Sequence, residues 1–161
     1  MSISVGDKLP DATFTTMTAE GPTQMSTAAV FGGRKVVLFA VPGAFTPTCH
    51  MKHLPGFVSH AADLKAKGVD TIACVSVNDV FVLNAWADQS GAKDAVTFLA
   101  DGSADFTKAI GMELDASGLG LGIRSQRYAM LVDDGVVAVL NLEEVPSSAD
   151  ASSAEKILAA L

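Results

Sequence analysis

The unbroken apolar run Val36-Val37-Leu38-Phe39-Ala40-Val41 constrains this chain more than any other feature. Side chains along a strand alternate between faces, so a continuous apolar run reads as a strand covered on both sides. Helices supply such cover, and the sequence that follows alternates accordingly. Thr48 to Lys67 reads as a helix, with Leu54, Val58, Ala61 and Leu64 at helical spacing and Gly68 as its stop. Pro55 falls inside it and predicts a kink, because proline has no N–H and clashes with the preceding turn. Val69 to Val77 reads as a second buried strand. Asn78 is placed to cap a helix from Asp79 to Ser90 that Gly91 closes, and Val96 to Ala100 is a third strand. This alternation predicts a sheet that starts out parallel.

Hairpins flank that unit. Residues 12–18 and 22–27 alternate and are Thr-rich, with Glu20-Gly21-Pro22 between them. Ser125 to Val132 and Val136 to Leu142 enclose Asp133-Asp134-Gly135, the clearest hairpin signal in the chain. Between the hairpins, Ala104 to Ile110 reads as a short helix ended by Gly111. Gly118 to Gly122 reads as a flexible loop: its third glycine comes one place too early for a dinucleotide fingerprint, and no strand leads into it. Ser152 and Glu155 resemble a capping box before a last helix that buries Ile157, Leu158 and Leu161. No repeat or linker interrupts the chain, so the expectation is an α/β mixed sheet flanked by helices, residues 1–161 forming a single domain.

The chain has 161 residues, 49% hydrophobic and 18% charged, which argues against disorder. Its net charge of −7 comes without any basic block, so nucleic acid and anionic membrane are poor partners. The first residues show neither a basic leader nor an apolar core of a signal, and the chain reads as cytoplasmic. Two cysteines do not make a disulfide framework; in a reducing compartment each is catalytic, metal-bound or merely buried.

Cys49 ends the turn-forming stretch Pro42-Gly43-Ala44-Phe45-Thr46-Pro47-Thr48 and falls in the first turn of the predicted helix. Unpaired backbone N–H groups and the helix dipole favour a thiolate there, the nucleophilic form of the residue. Thr46 offers a hydroxyl to whatever that sulfur attacks, and Arg127, far downstream, sits where a strand could return it to the same pocket. Taken alone, these have plainer readings: an inert buried thiol, a turn residue and a surface ion pair. Cys49 and His53 are i, i+4 neighbours, but His50 points elsewhere on the helix and no fourth ligand is near, so a metal site is disfavoured. Cys74 lies in Thr71-Ile72-Ala73-Cys74-Val75-Ser76, an interior strand, and reads first as a small apolar core residue.

Pro42, Thr46 and Cys49 spell P-x-x-x-T-x-x-C at a strand-to-helix junction. With His53-Leu54-Pro55-Gly56-Phe57, Val77-Asn78-Asp79, Trp86 and Arg124-Ser125-Gln126-Arg127-Tyr128, they resemble the peroxiredoxins, in the branch of peroxiredoxin-5 and the plant type II proteins. The resemblance runs from about Val5 to the last helix. It implies a thioredoxin-like fold and a thiol-dependent peroxidase that reduces hydrogen peroxide and organic hydroperoxides through a sulfenic acid at Cys49, without cofactor or metal. It implies roles for Thr46 and Arg127 in holding and polarising the peroxide, and for Pro42 in shielding the thiol. It also keeps Cys74 open as a resolving thiol, against the alternative of an external thiol from glutathione, glutaredoxin or thioredoxin. Phe45, Phe81 and Trp86 read as core; relatives use such aromatic positions in a two-fold contact, so a homodimer is implied. A dithiol oxidoreductase is discounted, since His50, Met51 and Lys52 follow Cys49 and no C-x-x-C pair forms. The remaining rival is a peroxide-sensing redox module that does not turn over.

Overall fold

The computed structural model describes residues 2–161. Its centre is the predicted run, strand β3 (Lys35–Val41), which pairs in parallel with β4 (Thr71–Ser76), itself parallel to β5 (Thr97–Ala100). β8 (Tyr128–Asp133) runs antiparallel along the other side of β3, and β9 (Val136–Leu142) completes that edge. The N-terminal hairpin, β1 (Thr13–Thr18) with β2 (Gly21–Ser26), joins through β1 to β5. The result is a seven-stranded mixed sheet in the order β2-β1-β5-β4-β3-β8-β9.

The alternation along β3 sorts its side chains into two cores. Val37, Phe39 and Val41 face one, with Ile72 and Cys74 of β4 beside them. Val36, Leu38 and Ala40 face the other, with Ala73 and Val75. The first core is closed by the helices after β3 and β4, including α4 (Val80–Gln89), and by the last helix, α6 (Ala154–Ala160). The second is covered by Phe31 of α1 (Thr27–Phe31) and Phe106 of α5 (Asp105–Ala109), the latter stacked at a tilt on Phe14. The β8–β9 hairpin turns through Asp134 (φ +47°) and Gly135 (φ +79°), the paired left-handed residues of a two-residue hairpin.

Four local expectations are corrected. The single helix from Thr48 to Lys67 is instead a π-helical turn (Cys49–His53), α2 (Leu54–Ser59) and α3 (Ala61–Ala66). Leu54 N–H reaches back five residues to the Cys49 carbonyl, so the wider turn absorbs the missing N–H at Pro55, which stands in the first turn of α2. Asp79, not Asn78, caps α4, because Asn78 Oδ1 is already taken by Ala44 N–H and the Ser76 hydroxyl. Ser153 rather than Ser152 caps α6, since Ser152 is bound to Glu143. The strand expected from Ser125 breaks at Gln126-Arg127: Ser125 ends β7 (Ile123–Ser125), which pairs with β6 (Glu113–Asp115) in a small second sheet absent from the sequence reading.

Candidate active site

β3 ends at Val41 against the edge of the sheet's parallel part, and the chain must turn at once to start a helix. Pro42 cannot donate to a ladder and stops the strand. Gly43 gives room: a Cβ there would meet the Thr46 methyl at 3.1 Å and the Arg124 guanidinium at 3.3 Å. Phe45 takes a left-handed backbone (φ +65°), a strained state for a bulky residue, and Ala44 N–H is pinned to Asn78 Oδ1 at 2.9 Å. Thr46 precedes the helix and Pro47 begins it, a position where the lost N–H costs nothing. The first intrahelical bond is His50 N–H to the Thr46 carbonyl at 2.9 Å, so Cys49 N–H lies ahead of the ladder without an intrahelical partner.

The turn brings Cys49 under Thr46 and Arg127. Thr46 Oγ1 stands 2.8 Å from Cys49 Sγ and 2.7 Å from the Gly43 carbonyl. One hydroxyl carries one proton, so it serves the two in alternation. With a thiol, the S–H faces Oγ1 while the hydroxyl donates to Gly43; with a thiolate, the hydroxyl turns to sulfur. Arg127 Nη2 donates to the same sulfur at 2.9 Å. The remaining arms of the guanidinium are fixed too: Nε donates to the Pro146 carbonyl at 3.0 Å, and Nη1 to His53 Nδ1 at 2.9 Å. Arg127 is 2% exposed, a desolvated cation whose field on the sulfur is little screened by water.

Cys49 itself is fully buried. Above it opens a cavity of about 470 Å³ lined by Pro42, Thr46 and Arg127 and by Leu114, Leu119 and Leu121. Thr46 and Arg127, which touch the sulfur, give the cavity polar groups, the three leucines give it apolar surface, and the glycine-rich loop is one of its walls.

Thr46 and Arg127 thus converge on Cys49, and Pro42 lines the cavity beside them. Cys74 does not line the cavity; it is buried in the middle of β4 between Phe39 and Phe98 in register. Burial, and then the nearby Cys49, push its thiol pKa well above the ordinary value. Phe45 and Phe81 are not core: they are 43% and 66% exposed, whereas Trp86 is buried. Phe45 stands in the turn with its left-handed backbone, and Phe81 sits on the solvent side of the first turn of α4. His50 accepts the Trp86 indole N–H at 3.1 Å, and both nitrogens of His53 are engaged, by Arg127 and by the Ser152 carbonyl at 2.9 Å. His53 therefore stands beside the pocket, one of the two places its sequence position suggested, while the links of Asn78 and Glu143 to the site escaped the sequence. The signal for His53 was its i, i+4 spacing from Cys49.

A family model for Redoxin matches residues 4–158. The chain is 58% identical to the chloroplastic peroxiredoxin-2E-2 of Oryza sativa subsp. japonica over 99% of its own length and 73% of the relative's. The chain belongs to the peroxiredoxins. It is also 54% identical to the chloroplastic peroxiredoxin-2E of Arabidopsis thaliana, over 99% of this chain and 70% of that one. Among solved structures, a reduced Prx3 of Vibrio vulnificus in complex with H2O2 superposes with a TM-score of 0.93 at 55% identity, covering 98% of both chains. This is a peroxiredoxin of the plant type II branch with a thioredoxin-like fold, a thiol-dependent peroxidase with an antioxidant role, working on a peroxide substrate and a thiol reductant. That decides against the non-turnover sensor. It also corrects the cytoplasmic expectation: the chloroplastic relatives point to an organelle. That expectation rested on the character of the first residues of the sequence, which does not decide the compartment.

Proposed function

We propose that Cys49 is the peroxide-attacking thiol of this peroxiredoxin, with Thr46 and Arg127 as its catalytic partners and Pro42 as its shield. The observation that carries the reading is the convergence of the Thr46 hydroxyl and the Arg127 guanidinium on one buried sulfur. Two donors aimed at sulfur reward an anion far more than a thiol. The thiolate attacks one peroxide oxygen, an S–O bond forms, and the O–O bond breaks. The departing oxygen takes the bonding pair and a proton, leaving as water or an alcohol, and Cys49 becomes a sulfenic acid. As the sulfur gives up its charge, the same guanidinium and hydroxyl face the oxygen that gains it, which stabilises the charge where it develops. The unpaired Cys49 N–H adds a third donor at that place. The apolar surface of Leu114, Leu119 and Leu121 suits the tail of an organic hydroperoxide, while hydrogen peroxide needs only the polar groups.

Recycling then takes two thiols: the first displaces water from the sulfenic acid to form a disulfide with Cys49, and the second releases Cys49 by exchange. An external thiol fits best, from glutathione, glutaredoxin or thioredoxin. Cys74 sits mid-strand with its proton held on, and reaching it would require the π-helical turn to unwind. Phe45, Met51 and Phe81 stand exposed around the loop and turn that hold Cys49, and they form the face of a homodimer. Residues 1–161 act as one domain, since both cores pack on one sheet.

Steady-state peroxide consumption with a regenerating thiol tests the assignment. The wild type gives many turnovers per chain and Cys49→Ser gives none while keeping its fold; turnover by the folded variant refutes it. For the assembly, Phe81→Asp shifts sedimentation from dimer to monomer. A wild type that sediments as a monomer refutes the homodimer.

A further inference from the structure

One short segment, residues 143–152, supplies three carbonyls to the site. The Pro146 carbonyl receives Arg127 Nε, the Ser147 carbonyl receives the Thr48 hydroxyl at 3.1 Å, and the Ser152 carbonyl faces His53 Nε2 at 2.9 Å. A carbonyl only accepts, so Nε2 carries the imidazole proton and Nδ1 presents a lone pair. That lone pair is what Arg127 Nη1 meets at 2.9 Å. The other tautomer would set N–H against N–H. The segment is knotted by Glu143, which is 8% exposed: its carboxylate accepts Ser152 N–H at 2.6 Å, the Ser152 hydroxyl at 2.5 Å and Ala151 N–H at 3.2 Å. Glu143 N–H in turn donates to the Arg127 carbonyl at 3.0 Å, which closes the loop onto the residue it serves.

We infer that His53 is a positioning residue for Arg127, held in one tautomer by Ser152, and that Glu143 is the anchor of this relay. Neither His53 nor Glu143 touches the peroxide. Their work is to leave the guanidinium one orientation, with Nη2 on Cys49. An arginine released from His53 has several rotamers, and most of them withdraw the cation from the sulfur. The geometry also explains why a histidine buried to 2% exposure stands beside a cation: it is there as a neutral acceptor.

The inference rests on the reading of Cys49 as the peroxide thiol, and its test separates the two. Folded variants are given one equivalent of hydrogen peroxide, and trapping of the sulfenic acid at Cys49 is followed over time. His53→Leu removes the acceptor, and the rate falls by about ten-fold or more, as expected when a reacting group loses its placement. His53→Asn restores an acceptor near the Nδ1 position and recovers most of the rate, which a purely structural role would not predict. Glu143→Gln slows the reaction less. Combined with His53→Leu it adds nothing further, because the two act in series. Equal rates for wild type and His53→Leu, or losses that add in the double variant, overturn the relay. If His53→Leu does not fold, His53→Asn and Glu143→Gln decide: rates unchanged in Glu143→Gln overturn it. A wild type that is trapped elsewhere than Cys49 overturns the reading beneath it instead.

Discussion

The two cysteines of this chain share one core and differ in almost everything chemical. Cys49 and Cys74 are both fully buried, and both belong to the cluster around Phe39. Cys74 lies in the middle of a strand whose backbone groups are spent on the ladder, with Phe39 and Phe98 as register partners. Among the described residues no polar side chain donates to it, and burial pushes its thiol pKa well above the ordinary value. Cys49 lies at a helix start with a hydroxyl at 2.8 Å and a guanidinium at 2.9 Å. Burial alone makes a thiol inert; burial together with donors that are themselves desolvated makes it a nucleophile. The difference is supplied by a turn, a returning strand and the segment that steers Arg127, not by the sulfur.

His53 offers the sharpest way to probe this shared interior, since it too is buried without carrying charge. Burial, then the adjacent Arg127, lower its pKa from 6.5 to about 4, against smaller opposing effects of Ser152 and Glu143. In the unfolded chain the ring takes up a proton as the pH falls below 6.5, whereas in the fold it stays neutral until about 4. The unfolded state therefore binds more protons in that window, and stability drops as the pH falls through it, by roughly 3 kcal/mol in total. Urea denaturation at a series of pH values should show this loss in the wild type and much less of it in His53→Asn. Equal slopes would mean that His53 does not stay neutral inside the fold.

Arg127→Gln removes both the charge and the Nη2 donor to Cys49. The peroxide step should slow by about 10²-fold, the usual cost of losing one donor to a developing anion. Iodoacetamide alkylation of Cys49 at neutral pH should slow with it. If neither changes, the contrast between the two cysteines has another origin. The smallest effect is expected at Cys74. Cys74→Ser should leave turnover with glutathione or glutaredoxin within about two-fold of wild type. Loss of turnover there would make Cys74 the resolving thiol and erase half of the comparison.

Much of this was legible in the residues. The apolar run of β3 and the alternation of strands and helices announced the sheet, because burial on both faces leaves a pattern along the chain. The Asp134-Gly135 turn was equally plain, since it needs residues that tolerate a left-handed backbone. P-x-x-x-T-x-x-C located Thr46 and Cys49, which are close in sequence. What escaped was set by tertiary structure. The π-helical turn trades one hydrogen-bond register for another without changing which residues favour a helix. Asn78 looked like a cap because the cap and the clip on Ala44 ask for the same side chain. Glu143 carries no local signal at all: its partners Ala151 and Ser152 are fixed only when the last helix docks. Phe45 and Phe81 read most simply as core, but Phe45 takes a left-handed backbone in the turn and is 43% exposed, and Phe81 lies on the exposed side of α4.

The central claim is that one sulfur of the two reacts with peroxide because Thr46 and Arg127 hold it. The most direct measurement is mass spectrometry of the protein trapped with dimedone after one equivalent of hydrogen peroxide. The account predicts a sulfenic-acid adduct on Cys49 and none on Cys74. An adduct on Cys74, or oxidation of Cys49 that proceeds equally fast in Arg127→Gln, would contradict it.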